Sequence, residues 1–182
     1  MGLGSYDTRR GRDRMRGVRA LVTILVLLAS AAGAGAGAAR GTDIVAVDDF
    51  IDAPRALFGR TRASVESALG APISVRPSAV QATPTAPAEP AEQLAYAGLV
   101  VTVSQRSSTV RRVEITEPRW TLPSGLNVGT PRAQVEATLG EPQLTSDTSV
   151  LYLDADGFPN TVEFHFRSDR VRRIEWSYAA SD

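Results

Sequence analysis

The chain has 182 residues, the length of one ordinary domain or two small ones. Its 20 basic residues, all arginine, balance 20 acids unevenly: residues 1–20 carry six arginines against two aspartates, and the rest carries fourteen arginines against eighteen acids. A mildly acidic body lacks the basic footprint of a nucleic-acid binder, and the absence of cysteine excludes disulfides, zinc–cysteine sites, thiol catalysis and a lipid-modified N-terminal cysteine.

Residues 1–39 read as an address. Arg9, Arg10, Arg12, Arg14, Arg16 and Arg19 make a positive n-region, Leu21 to Leu28 a short apolar h-region, and Ala34-Gly35-Ala36 and Ala36-Gly37-Ala38 both fit an A-x-A cleavage site. That order is a secretory signal peptide. Ala20 to Ala39 carries no charge and is long enough to serve instead as an anchor, although its Gly, Ala and Ser half contributes little to insertion. The expected product is periplasmic or secreted, starting between Gly35 and Arg40. The alternative is a protein held by residues 20–39 in the inner membrane and facing outward, with no other membrane contact.

Residues 40–55 read as an N-terminal arm holding the acidic cluster Asp48-Asp49-Phe50-Ile51-Asp52. Beyond it the body is written twice. GRTRASVESALGAP at 59–72 and GTPRAQVEATLGEP at 129–142 are identical at eight of fourteen positions. Val110 to Ile115 (VRRVEI) matches Val171 to Trp176 (VRRIEW), and Tyr96 and Tyr152 mark a third matching point. This divides the body into repeat 1 (56–117), a connector (118–125) containing Trp120, and repeat 2 (126–182). The Pro/Ala-rich stretch 77–92 inside repeat 1 reads as an exposed, polyproline-like or disordered loop.

Thr61 and Thr130 are the expected helix N-caps, with Pro131 at the first helical position of the second copy. Ala63, Val65 and Leu69, like Ala133, Val135 and Leu139, put apolar groups on one side, and Gly70 and Gly140 stop each helix ahead of Pro72 and Pro142. Helices of about nine residues need a sheet to lie on. Leu99 to Gln105 and Thr161 to Arg167 supply strands, and Ile174, Trp176 and Tyr178 alternate against Arg173, Glu175 and Ser177. For Phe164 and Ile174 to share a face, the loop between them should be odd, Ser168-Asp169-Arg170. Leu69 and Leu139 should be equivalently buried. The expected fold class is therefore α+β: two tandem αβββ repeats forming an antiparallel sheet, with two short helices on one face.

The pattern G-x-[ST]-x-x-x-V-x-x-x-L-G-x-P, as it stands at 59–72, followed by alternating strands, resembles the small exported repeat of two groups. These are the SmpA/BamE type of outer-membrane assembly lipoprotein and the secreted β-lactamase inhibitory protein. Neither the lipobox cysteine of the first nor the disulfide cysteines of the second is present. The resemblance implies a non-catalytic envelope or secreted module, with a sheet face as its docking surface and another envelope or secreted protein as its partner.

His165 is the only histidine, and no serine stands in a G-x-S-x-G elbow. Asp154-Ala155-Asp156-Gly157, with Glu163 beyond, imitates part of a calcium loop, but Tyr152 occupies the first ligand position and a hairpin turn explains the run. Arg112 and Glu114 recur as Arg173 and Glu175 on the strand face opposite the apolar residues. With Glu163 and His165 they make the candidate interaction face. No catalytic, cofactor-binding or metal-ligating residue is assigned. The rival readings are a hydrolase using Asp154, Asp156 and Glu163, and a structural envelope protein anchored through residues 20–39.

Overall fold

The computed structural model describes residues 41–81, 88–155 and 160–179. In chain order these form α1 (Ile44–Phe58), α2 (Arg62–Leu69), β1 (Ser74–Val80), β2 (Glu89–Tyr96), β3 (Leu99–Ser104) and β4 (Val110–Ile115). A 3-10 turn (Pro123–Gly125) then leads to α3 (Arg132–Leu139), β5 (Leu144–Thr145), β6 (Ser149–Leu153), β7 (Thr161–Arg167) and β8 (Arg170–Ser177). The strands make one antiparallel sheet in the order β1-β2-β3-β4-β8-β7-β6-β5. This corrects the expected fold class. Among the described residues there are three α-helices, and the eight strands form a single continuous sheet instead of two αβββ units. The expected signal or anchor, residues 1–39, lies outside the described residues. No helix among the described residues is long and apolar enough to cross a membrane.

Residues 44–58, of which 44–55 fall in the expected arm and 56–58 in the expected repeat 1, are the longest helix among the described residues. Asp43 caps it, accepting from Ala46 N, and Val47, Phe50, Ile51, Pro54 and Phe58 fall on one stripe and are buried. Pro54 sits inside the helix and has no N–H to give the Phe50 carbonyl. The Trp176 indole N–H fills that place, donating to Phe50 O at 3.0 Å, and the Tyr178 hydroxyl donates to the next carbonyl, Ile51 O, at 2.9 Å. Phe50 also lies against the Trp176 and Phe164 rings, at 5.4 Å in each case.

The other correction falls on 77–92. Ser74–Val80 and Glu89–Tyr96 are paired strands, with Pro77 opposite Glu92, and only 82–87 lie outside the described residues. Proline is tolerated there because β1 is the sheet's edge and one side of its backbone has no ladder to join.

Strand register builds one apolar face. Leu94, Val101, Val113, Trp176, Val162 and Tyr152 are successive cross-strand neighbours, and Tyr96, Leu99, Ile115, Ile174, Phe164 and Val150 make a parallel row. All but Tyr96 are buried. The helices lie on this face, because its side chains reach them: Trp176 touches α1, the Tyr96 hydroxyl donates to Gly70 O after α2, and the Tyr152 hydroxyl donates to Gly140 O after α3. Burial pushes the phenols of Tyr152 and Tyr178 up, so both remain donors well into the alkaline range.

The β7–β8 connection is a two-residue turn in place of the expected three. Ser168 and Asp169 take positive φ values of 50° and 61°, and Phe164 still pairs with Ile174 because a bulge between His165 and Phe166 supplies the odd residue.

Thr61 caps α2 as expected, in a reciprocal box with Ser64. At α3, Pro131 takes the cap position with no side-chain bond, and Thr130 instead accepts from Asn127 N. Leu139 is 0% exposed while Leu69 is only partly buried, so the two are not equivalent. The difference comes from the segment ahead of α1. Asp43 N donates to Leu139 O at 2.9 Å and the Thr42 hydroxyl donates to Glu141 O, whereas no described segment lies against Gly70 in this way.

Two expectations follow. Trp176→Phe should destabilise the fold by about 1–3 kcal/mol through the orphaned Phe50 carbonyl. In a Pro54→Ala background, where residue 54 regains its N–H, the same change should cost about 1 kcal/mol less; a double-mutant cycle by urea denaturation reads this coupling, and strict additivity would refute it. Gly70 and Gly140 both hold φ near +78° (79° and 77°) with ψ close to 180°, a region other residues enter at a cost of about 1–3 kcal/mol. Gly70→Ala should show that strain alone. Gly140→Ala should cost more, because its Cβ would meet Gly41 O and lie 2.7 Å from Asp43 N and 2.9 Å from Thr42 Cα. Equal losses in melting temperature would refute that docking.

Candidate interaction face

The helices cover one face of the sheet and leave the other open. On the open face the central register row runs Leu144, Leu151, Glu163, Glu175, Glu114, Val100, Ala95 and Ser74. A second row runs Leu153, Thr161, Ser177, Arg112, Thr102 and Gln93, and a third short row pairs Ser149, His165 and Arg173. Alternation along β4, β7 and β8 forces this: Val113, Ile115, Phe164, Ile174 and Trp176 point under the helices, so their neighbours point away.

All six residues of the sequence-derived face meet here. Glu114, Glu175 and Glu163 stand side by side on β4, β8 and β7, an arrangement that like charges alone would oppose. Arginines bridge two of them. Arg112 Nε lies 3.3 Å from Glu175, and Arg173 reaches Glu114 at 3.7 Å and Glu175 at 3.8 Å. Arg173 Nη2 also lies 2.9 Å from His165 Nε2. A guanidinium has only donors, so His165 Nε2 accepts and its ring proton sits on Nδ1. Glu175, in the middle, has 17% of its side chain exposed and is the most enclosed of the six members of the face. Among the described residues Glu163 has no arginine; its basic neighbour there is His165 Nε2 at 3.6 Å.

Asp154 accepts from Asn160 Nδ2 at 2.7 Å, Glu163 belongs to the open-face row, and Asp156 and Gly157 lie outside the described residues. Among the described residues no group of three or more acids and histidines is arranged to hold a metal ion. A shallow depression of about 440 Å³ lies between Gly41–Val45 and Ala137–Gly140, but its carboxylate, Asp43, is committed to capping α1. Arg55, whose pKa burial lowers, packs at 3.7 Å over the Tyr178 ring on the helix-covered side.

Sequence reading missed the apolar end of the open face. Leu144 and Leu151 are cross-strand partners there, and Leu144 and Leu153 are 65% and 40% exposed. The signal was available: in Ser149-Val150-Leu151-Tyr152-Leu153, the leucines alternate with the buried Val150 and Tyr152.

No protein-family model and no curated protein matches the chain. Among solved structures it is similar to the uncharacterized protein YfeY from Escherichia coli, at 15% identity and a TM-score of 0.41, over 63% of this chain and 86% of that one. A likeness of that size carries no inference about function.

The ion-pair row makes a salt-dependent prediction. Removing Arg173 leaves three adjacent carboxylates with Arg112 as their one guanidinium among the described residues. Arg173→Ala should cost under about 1 kcal/mol at this half-exposed site. Added sodium chloride should then raise the variant's stability relative to wild type, as screening relieves the repulsion. Parallel salt dependence of the two melting temperatures would show that the row is not coupled.

Proposed function

We propose that the chain is an exported, non-catalytic protein-binding module that docks another envelope or secreted protein on the open face of its sheet. The observation that carries this reading is the second face, eight strands wide and covered by no helix among the described residues, with a fixed network of Arg112, Glu114, Glu175, Arg173 and His165 at its centre. Side chains already held by one another lose little freedom on docking, which favours association. The sheet edges support the face as the surface in use. Pro77 stands within edge strand β1 and β5 is only two residues long, both devices that discourage strand addition. Export follows from the order of charge, apolar run and small residues at 9–39, and places the partner in the periplasm or outside the cell.

Photo-crosslinking residues introduced singly in the exported protein test this. Positions Arg112 and Ser177 on the open face should yield a discrete protein adduct in intact cells. Positions Glu66 and Gln134 on the helices should not. Adducts from both sides alike, adducts from neither, or turnover by the purified protein in a panel of hydrolase substrates would overturn the proposal.

A further inference from the structure

We infer that the β5–β6 end of the open face receives a partner polypeptide segment that presents apolar side chains beside a lysine or arginine. This rests on the binding-module reading and names the chemistry of the partner. Leu144, Leu151 and Leu153 line this end, and register places Leu151 directly across from Glu163 and Leu153 across from Thr161. Two large apolar side chains exposed beside the charged centre of this face give a docking segment apolar area to cover.

Charge decides what accompanies the apolar contact. Glu114 and Glu175 are met by arginines of the same face, while Glu163 has none among the described residues. Its neighbour His165 Nε2 is already accepting from Arg173, so the histidine supplies no donor to Glu163 through that atom. A partner cation placed on Glu163 would therefore complete the row of ion pairs, adjoining a leucine pair that needs covering. An acidic or purely polar segment would leave both unmet. The selectivity belongs to the juxtaposition of Glu163 with Leu151.

The probe is a seven-residue extended peptide with leucine, lysine and leucine at alternate positions and threonine between them, so that the three share one side. Titrated into the isotope-labelled protein, it should shift backbone resonances of 144–153 and 161–165 and leave those of α1 and α2 in place. Glu163→Lys, a change at a part-exposed site, should weaken binding by about tenfold or more with the melting temperature held within a few degrees. Leu144→Ser combined with Leu153→Ser should do the same. A matching peptide with glutamate in place of lysine should bind at least about tenfold more weakly. No binding of the lysine peptide, equal binding of the glutamate peptide, indifference to Glu163→Lys, or preferential uptake of the protein by phospholipid vesicles would each overturn the inference. Its failure is separable from that of the broader reading. Cell adducts formed from Arg112 but never from Leu144 or Leu153 would leave a docking face and remove this end of it.

Discussion

The fold turns on a hydrogen bond that a proline makes necessary. Pro54 leaves the Phe50 carbonyl without its helical donor inside a buried stretch, where an orphaned acceptor costs about 1–3 kcal/mol. Trp176 reaches that carbonyl from the centre of the sheet, and Tyr178 reaches the next one. Since β8 lies between β4 and β7, the pair that receives α1 is also the seam along which β1–β4 join β5–β8. One contact therefore fixes the longest helix, the orientation of the largest buried side chain and the place where the sheet becomes continuous.

That constraint sorts the two faces. With Trp176 and Ile174 committed to the helices, Arg173, Glu175 and Ser177 must point the opposite way, and their cross-strand partners on β4 and β7 follow. The polar face is a consequence of the core's register. Its three glutamates persist beside one another because the same register delivers Arg112 and Arg173 to the neighbouring row. A slip of one residue at β4–β8 would bury charge and expose Trp176, so core packing protects the face from rearrangement.

Much of this was legible where the code is local. The helices at 62–69 and 132–139 announce themselves by spacing and by the glycine that ends each, and strict alternation along each strand points the six polar residues away from the core. What escaped reading depends on distant partners. The stripe at Val47, Phe50, Ile51 and Phe58 is helical, but Pro54 and the neighbouring aspartates argue against it locally, and the compensating Trp176 is 126 residues away. The prolines and alanines of 77–92 suit a loop by composition; Pro77 is accommodated because β1 is the edge, and 89–92 become strand because β2 is paired between β1 and β3. Leu139 and Leu69 look alike in sequence, yet only one has the chain ahead of α1 laid over its helix end.

The doubled Val-Arg-Arg motif explains the one feature that alternation could not. Val110 and Val113 are both buried, as are Val171 and Ile174, although an odd spacing of three should put them on opposite faces. Each strand resolves the conflict with a bulge at the same place. Val103 pairs with Val110 and Thr102 with Arg112, leaving Arg111 over; Phe166 pairs with Val171 and His165 with Arg173, leaving Arg172 over. The first arginine of each motif is thus the extra residue, and the second is the one delivered to the open face. Pairing either motif without its bulge would force a choice between the valine in the core and the arginine beside the glutamates. The motif keeps both, and in doing so ties the hydrophobic register of the sheet to the charge pattern of the surface proposed to dock a partner.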